Sequence, residues 1–180
     1  MNLAGKILKI FGWNVDITVP DVPKCIICVA PHTSNWDFIV GKLAYMSVGR
    51  TAGFLMKSSW FFWPLGYFFK AIGGIPVAPR REGVSLTQAV VEKFRNSGRM
   101  HLAITPEGTR SFQPKWHTGF LHIALEADVP IMLAVIDYAK KEVEVSDVFI
   151  PSGDIEHDLE MVKDFYRGAQ GKYPHKFTID

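Results

Sequence analysis

Residues 24–47 read KCIICVAPHTSNWDFIVGKLAYMS, and this stretch decides the predicted fold. Its first seven residues are mostly apolar and rich in β-branched side chains, which predicts a buried strand over Lys24–Ala30. A polar loop follows, in which Ser34 or Asn35 can cap a helix over 36–47. A buried strand that passes through a short loop into a helix is typical of α/β proteins.

The rest of the 180-residue chain alternates short apolar runs with helical patterns in the same way. Further strands are predicted at 51–56, 74–78, 100–105, 130–136 and 142–149, the last with the alternation of an edge or half-exposed strand. Further helices are predicted at 3–11, 86–96, 120–127 and 155–167. No Gly-, Ser- or Pro-rich linker divides the chain, so we predict a single α/β domain over 1–180 with a mixed, mostly parallel sheet flanked by helices. Ligands usually bind at the loop edge of such a sheet.

The charge of the chain is distributed unevenly. Residues 1–115 hold 14 Lys and Arg against 6 Asp and Glu, whereas residues 116–180 hold 6 against 12. The basic first part suits an anionic partner such as a phosphate, a nucleotide-bearing cofactor or an anionic membrane surface. The acidic second part argues against a protein that wraps duplex nucleic acid, so no nucleic-acid partner is expected.

The apolar runs are too short for a transmembrane helix, which needs about 20 apolar residues. Lys6 and Lys9 interrupt the N-terminal apolar run, so no signal peptide is predicted. Cys25 and Cys28 fall on opposite faces of their predicted strand, which makes them structural thiols rather than a shared metal site. We expect no metal site and a cytoplasmic protein, free or lying on a membrane surface.

The loop after the 24–30 strand carries His32 and Asp37. Asp37 falls in the first turn of the predicted helix, and its carboxylate can fold back toward the imidazole of His32. A carboxylate on one ring nitrogen leaves the other nitrogen free to accept a proton, which makes a two-residue general base. The alternative is an Asp that helps to cap a helix beside an unrelated His.

The loop after the 100–105 strand reads Ile104-Thr105-Pro106-Glu107-Gly108-Thr109-Arg110-Ser111. Gly108 lets the backbone approach a ligand, and Arg110 offers a planar, permanently charged group for phosphate or carboxylate. Thr109 and Ser111 add hydroxyls. Taken alone, this pattern is equally typical of an ordinary strand-end turn with a solvated Arg.

Taken together, the two loops resemble the glycerolipid acyltransferase family, whose best-known members convert lysophosphatidic acid to phosphatidic acid. His32 and Asp37 match its catalytic His-x4-Asp motif, and residues 107–111 match its Glu-Gly-Thr-Arg-Ser motif for the acceptor phosphate. Residues 73–81 resemble the intermediate motif, which supplies an Arg to the glycerol phosphate, and 129–131 match the Pro-centred fourth motif. The resemblance covers about residues 24–135.

The resemblance implies an O-acyltransferase of phospholipid biosynthesis. It would move a fatty acyl group from an acyl thioester, carried by coenzyme A or acyl carrier protein, to a hydroxyl of a lysophospholipid or glycerol-phosphate-like acceptor. His32 would be the general base and Asp37 would orient it, without a cofactor or metal. The implied substrate-binding residues are Arg80 or Arg81, Glu107, Gly108, Thr109, Arg110, Ser111 and Lys115.

The aromatic segment, residues 58–69, holds seven aromatic side chains between Lys57 and Lys70. Aromatic clusters usually pack in a core, but this one exceeds what a single helix or strand face can bury. Trp and Tyr favour the membrane interface, and the flanking lysines suit anionic head groups. We therefore expect a peripheral contact with the inner face of the membrane through Trp60, Phe61, Phe62 and Trp63. Pro64 and Gly66 should break the segment into a hairpin or two short helical turns, and residues 1–13 would form a second, amphipathic contact.

Two other functions stay open at this point. A non-catalytic, peripheral lipid-binding module could use the same aromatic and basic surface without His32 or Asp37. An acyltransferase with a different, non-glycerol lipid acceptor would keep both residues. A serine hydrolase is disfavoured because the sequence has no Gly-x-Ser-x-Gly elbow, and a nucleotide-dependent enzyme because it has no Gly-rich phosphate loop.

Overall fold

The computed structural model describes residues 2–77 and 85–179 of the chain. Its helices are α1 Leu3–Ile10, α2 Asn35–Ser47, α3 Leu65–Ala71, α4 Leu86–Asn96, α5 Gly119–Ala127 and α6 Ile155–Phe165. Its strands are β1 Asn14–Ile17, β2 Lys24–Ala30, β3 Gly53–Lys57, β4 Gly74–Val77, β5 Met100–Ile104, β6 Ile131–Asp137 and β7 Glu142–Phe149. The end of the predicted 74–78 strand and both Arg80 and Arg81 lie outside the described residues.

The strands form one seven-stranded sheet in the order β1-β7-β6-β2-β5-β3-β4. Among the strands described, β6 and β7 pair antiparallel, and all other neighbours pair parallel. The predicted α/β class with a mixed, mostly parallel sheet is therefore confirmed. The most buried strands, β2 and β6, read as continuous apolar runs because helices cover both of their faces.

Helices cover the two faces of the sheet unequally. The larger core lies on the face covered by α4, α5 and α6, and contains Ile26, Cys28 and Phe94. The opposite face carries α1 and α2 over two smaller clusters, one of which contains Cys25. The two thiols lie on opposite faces as predicted, and burial raises the pKa of each to about 12.

Parallel pairing of β2 with β5 brings the two polar loops together. Cys28 of β2 lies opposite Ile104 of β5, so the loops that follow these strands leave the same edge of the sheet. β6 pairs parallel with β2 on its other side, with Val135 opposite Ala30, and it ends at this edge too. The carboxyl ends of three neighbouring strands thus position the candidate site.

One strand was missed from the pattern, and two predictions with alternatives are decided by the structure. β1 was not predicted, because its four residues alternate only between exposed and half-buried positions. β7 is not an edge strand, because β1 pairs with its outer side, but it is half-exposed, which is the other alternative that its alternation predicted. The aromatic segment is not a hairpin: a 3₁₀ turn at Ser58–Trp60 precedes α3, which matches the expected pair of short helical turns.

Candidate active site

His32 and Asp37 lie together at the start of α2. Nδ1 of His32 is 3.4 Å from Oδ2 of Asp37, and the exposed fractions of the two side chains are 20% and 1%. Nε2 of His32 makes no hydrogen bond to any part of the chain that the structure describes, and His32 lines a cavity. An imidazole held in this way can accept a proton at Nε2.

Asp37 is held by hydrogen bonds to both carboxylate oxygens. Oδ2 accepts from the backbone N–H groups of Thr33 and Ser34, each at 2.7 Å. Oδ1 accepts from the hydroxyls of Ser34 at 2.7 Å and Tyr138 at 2.8 Å. Burial by itself would raise the pKa of Asp37, but these donors and His32 outweigh it, so the pKa lies below its usual value. Asp37 is therefore an ionised and immobile partner for His32.

The helix start explains why the sequence folds this way locally. Ser34 is the N-cap of α2, with extended backbone, and its hydroxyl accepts from the N–H of Trp36 at 3.2 Å. Asp37, three residues on, accepts from the N–H of Ser34 and so completes a capping box. The carboxylate that caps the helix is therefore the same one that contacts His32.

Glu107 approaches the same loop from the end of β5. Its Oε1 accepts from the backbone N–H of His32 at 2.8 Å. Its Oε2 is buried and has no hydrogen-bond partner among the described residues. Burial raises the pKa of Glu107 to about 7, although the hydrogen bond from the His32 N–H opposes the shift. Glu107 therefore holds the backbone of the His32 loop rather than its imidazole.

The turn after Glu107 needs a glycine. Gly108 has a φ of +66°, and a Cβ placed there would lie 2.7 Å from Cδ2 of His117. The turn closes through a hydrogen bond from the N–H of Gly108 to the carbonyl of Thr105 at 3.1 Å. Arg110, two residues on, is exposed and lines the same cavity as His32. The turn therefore places a permanent positive charge on the wall of that cavity.

The cavity has a volume of about 810 Å³ and runs between α2 and the sheet. His32 and Asp37 line it at the start of α2, and Tyr45 and Met46 line it at the end of this helix. A helix of 13 residues is about 20 Å long, so the cavity extends well beyond the two polar loops. Its wall is mostly apolar, with Phe38, Gly41 and Ala44 on the helix side and Ile27, Val29, Ala134, Ile136, Val143 and Val145 on the sheet side.

Comparison with known proteins identifies the family. The family model described as Acyltransferase matches residues 18–137, two thirds of the chain. The chain belongs to the acyltransferase family. The matched region contains both polar loops, so the resemblance to glycerolipid acyltransferases is confirmed at the level of the family. No curated protein matches the sequence.

The structure brings together only some of the residues predicted for the acyltransferase site. One cavity is lined by His32, Asp37, Gly108 and Arg110. The side chain of Glu107 accepts a hydrogen bond from the backbone N–H of His32. Three other predicted residues do not line the cavity: Thr109, which is half-buried, and Ser111 and Lys115, which are exposed. Oγ1 of Thr109 instead accepts from the N–H of Ser111 at 3.2 Å within the turn.

Most of the aromatic segment is exposed. Trp60, Phe62 and Trp63 are exposed by 50%, 55% and 81% of their surface, and Tyr67 and Phe68 of α3 are exposed as well. Phe61 differs, because it is half-buried and stacks at a tilt on Phe69 with ring centroids 6.0 Å apart. Gly66 is buried under the Phe61 backbone, since a Cβ there would lie 2.8 Å from the Phe61 carbonyl oxygen.

Two residues of the site were not predicted from the sequence. Tyr138 donates to Asp37 across 101 positions of sequence, and no local pattern marks such a contact. Lys42 lines the cavity from α2, and its ammonium group donates to the carbonyl of Ile72 at 2.6 Å. The sequence shows that Lys42 is a charged residue within the predicted helix 36–47, which could have marked it as a candidate. Its contact with the carbonyl of Ile72 could not have been predicted.

Residues 2–77 and 85–179 contain neither a cluster of metal-binding side chains nor a membrane-spanning helix. In this part of the chain, no group of three or more His, Cys, Asp or Glu residues could hold a metal ion. No helix in the same residues has the length and apolar character needed to cross a bilayer.

Proposed function

We propose that this acyltransferase transfers a fatty acyl group from an acyl thioester to a hydroxyl of a lysophospholipid or glycerol-phosphate-like acceptor. The observation that carries the proposal is the His32–Asp37 pair at one end of a long apolar cavity, with Arg110 on the cavity wall. The three features correspond to a base, a site for an acyl chain and a site for an anion. Their combination is the one that esterification of an anionic lipid requires.

His32 acts as the general base. An alcohol is a poor nucleophile at neutral pH, and removal of its proton during attack by a base positioned as His32 is worth about 10²–10⁴-fold. The hydroxyl oxygen bonds to the thioester carbonyl carbon, its proton moves to Nε2, and the carbon–sulfur bond breaks to release a thiolate. The proton on His32 then neutralises this thiolate. Asp37 keeps the imidazole oriented and stabilises its positive charge throughout.

The apolar cavity is the proposed site of the acyl chain. An extended chain laid along α2 removes its methylene groups from water, worth about 0.8 kcal/mol for each group buried. The 20 Å length of this helix is comparable with that of a long-chain fatty acyl group. The thioester carbonyl then lies beside His32. Both coenzyme A and acyl carrier protein fit this arrangement as carriers.

The acceptor anion binds at Arg110. Its guanidinium is exposed on the wall of the cavity that His32 also lines. An arginine holds a phosphate through two parallel hydrogen bonds, which orients the acceptor hydroxyl as well as attracting it. Arg80 or Arg81 supplies a second contact in this proposal, and Thr109, Ser111 and Lys115 are proposed to contact the head group outside the cavity.

The enzyme takes its substrates from a membrane surface in this proposal, on the inner face of the membrane as part of phospholipid biosynthesis. The exposed aromatic side chains of the aromatic segment, between Lys57 and Lys70, support such a contact. The first helix offers a second contact, because Leu3, Ile10 and Phe11 are exposed while Ala4 and Leu8 face the rest of the protein.

The function is tested with purified protein and liposomes. The liposomes carry a panel of lysolipids that includes lysophosphatidic acid and an amine-headed lysolipid, a palmitoyl thioester is added, and free thiol is measured with time. We expect acceptor-dependent thiol release by the wild type and at least about a 100-fold loss in His32→Ala, since this removes the general base. His122→Ala is the matched control, because His122 is exposed on α5, on the opposite face of the sheet.

The same assay separates the alternatives. Release that depends on a non-glycerol lipid would keep the mechanism and change the acceptor. Liposome binding without thiol release on any acceptor, unchanged by His32→Ala, would contradict the proposed enzyme and favour a lipid-binding module.

A further inference from the structure

Tyr138 lies immediately after β6, at the sheet edge where the His32 loop leaves β2. Its hydroxyl donates to Oδ1 of Asp37 at 2.8 Å, and Asp37 in turn contacts His32 through Oδ2. Tyr138 also falls one position beyond the region that the family model matches, which ends at residue 137. The contact is therefore a property of this chain that neither the motifs nor the family match assigns.

We infer that Tyr138 is a positioning residue, which acts on His32 through Asp37 and sets both the orientation and the basicity of the imidazole. The inference rests on the proposed function, because it assigns His32 the role of general base. Tyr138 itself touches neither substrate in this arrangement.

The position of Tyr138 is held from two sides. Its backbone N–H donates to the carbonyl of Gln170 at 2.8 Å. Its ring packs edge-on against Trp13, with centroids 5.0 Å apart and an interplanar angle of 88°. Two segments far apart in the sequence thus hold the phenol against Asp37. The contact is therefore part of the packed structure rather than an incidental contact at the surface.

The hydroxyl acts on Asp37 through hydrogen bonding. Oδ1 of Asp37 accepts from Tyr138 and from Ser34, and each donor draws negative charge from the carboxylate. Burial raises the pKa of Tyr138 above its usual range, so the phenol remains a donor throughout the pH range of an assay. Loss of this donor leaves a more basic carboxylate, which stabilises the imidazolium of His32 more strongly.

The other titratable groups around the pair are the same with or without the Tyr138 hydroxyl. Glu107 faces the His32 backbone from the end of β5, and Arg110 and Lys42 line the cavity that both members of the pair share. Tyr173 of the C-terminal segment lies near enough to Tyr138 to influence its pKa. A shift in the titration of His32 on removal of one hydroxyl is therefore attributable to that hydroxyl.

The test is an NMR titration of the His32 imidazole in the wild type and in Tyr138→Phe. The signal is assigned by its absence from His32→Gln, and no substrate is needed. Phe keeps the ring that packs on Trp13, so circular dichroism should show an unchanged fold. We expect the pKa of His32 to rise by about half a unit in Tyr138→Phe, as one of several donors to Asp37 is removed.

Tyr166→Phe is the matched control. The Tyr166 hydroxyl is buried in the core on the face of the sheet opposite α2, and it donates to the Cys28 carbonyl at 2.6 Å rather than to Asp37. Its removal should lower the melting temperature and leave the pKa of His32 unchanged. An unchanged or lowered pKa of His32 in folded Tyr138→Phe, or an equal shift in Tyr166→Phe, would overturn the inference.

Kinetics then separate this inference from the proposed function. With an active acceptor, the acidic limb of the kcat/KM profile should move to higher pH in Tyr138→Phe by the shift seen in the titration. The plateau kcat should fall severalfold, while KM for the thioester stays the same. A wild type that transfers no acyl group would refute the proposed function, and the titration would still decide whether Tyr138 controls His32.

Discussion

Two carboxylates surround the His32 loop, and their environments separate their ionisation. Asp37 accepts hydrogen bonds at both oxygens, which holds its pKa below the usual value even though it is buried. Glu107 accepts at one oxygen only, and burial raises its pKa to about 7. At neutral pH Asp37 is charged, whereas Glu107 keeps its proton to a higher pH than an ordinary Glu. Two carboxyl groups at one site thus have different tasks.

The raised pKa of Glu107 makes stability depend on pH. The folded protein holds this proton up to about pH 7, whereas the unfolded chain loses it near 4.5. Between these values the native state binds more protons, so the contribution of Glu107 to stability is lost as the pH rises. Glu107→Gln keeps an acceptor for the His32 N–H and cannot ionise. Its free energy of unfolding relative to the wild type should therefore increase from pH 5 to pH 8, by about 2–3 kcal/mol.

The measurement is urea unfolding of both proteins at several pH values. Glu92→Gln is the control, because Glu92 is exposed on α4 and its substitution should give a difference that does not vary with pH. A constant difference between Glu107→Gln and the wild type would show that Glu107 is ionised in the folded protein at neutral pH.

At the scale of elements, the aromatic segment divides into an inner and an outer set of side chains. Phe61 and Phe69 stack on each other, and Gly66 allows α3 to lie directly on the Phe61 backbone. This packing turns Trp60, Phe62 and Trp63 outward, on the connection between β3 and α3. The outer set is the one expected to enter a membrane.

Replacing Trp60, Phe62 and Trp63 together with Ser should release the protein from vesicles that contain anionic lipid. In the wild type, membrane binding removes this aromatic surface from water and gains about 25 cal/mol for each Å² buried. The variant loses this gain, so its partition coefficient should be at least tenfold lower. Stability should change little, because these side chains are already exposed. Vesicle co-sedimentation measures the partition coefficient, and circular dichroism verifies the fold.

Ile150 and Met161 provide the control for this loss. Both are exposed apolar residues outside the aromatic segment, after β7 and on α6. Their replacement with Ser should leave vesicle binding unchanged. Equal binding by the wild type and the triple variant would mean that the membrane contact lies elsewhere, with α1 the next element to test.

At the scale of the whole molecule, the cavity exists because α2 does not close fully on the sheet. At Gly41, by contrast, the helix lies close to the sheet, since a Cβ there would approach Cδ1 of Ile136 to 3.2 Å. Residues of six strands, of α2 and of α4 contribute to the wall, so no single element contains the site of the acyl chain. The volume of about 810 Å³ is within the usual range for a ligand site.

Gly41→Leu should therefore shorten the acyl chain that the enzyme accepts. A leucine at this position crowds Ile136 at its Cβ and extends into the cavity that Gly41 lines, so it should narrow the cavity beyond the first turn of α2. We expect kcat/KM for a palmitoyl thioester to fall by at least tenfold, while that for an octanoyl thioester changes little, since each excluded methylene costs about 0.8 kcal/mol. Glu92→Leu, on the opposite face of the sheet, is the control.

A parallel loss on the two thioesters, in a variant of normal stability, would indicate a change in the catalytic loop rather than in the acyl site.

The sequence by itself determined the elements that local chemistry specifies. Continuous apolar runs predicted β2 and β6, and a cap at Ser34 or Asn35 predicted the start of α2, which the structure places after Ser34. The His32–Asp37 motif and the motif at residues 107–111 also predicted the family, because each motif is a short continuous stretch of the chain. Such features depend on neighbours a few positions away, and a pattern can show them.

The tertiary structure alone decided what depends on distant partners. β1 has only four residues, alternately exposed and half-buried, and becomes a strand because β7 pairs with it. Tyr138 reaches Asp37 across 101 positions, and Glu107 reaches the His32 backbone across 75. The cavity arises from a gap between layers. Hydrogen bonds and packing between such residues depend on how the sheet is assembled, because strand pairing brings residues into contact that lie far apart in the sequence.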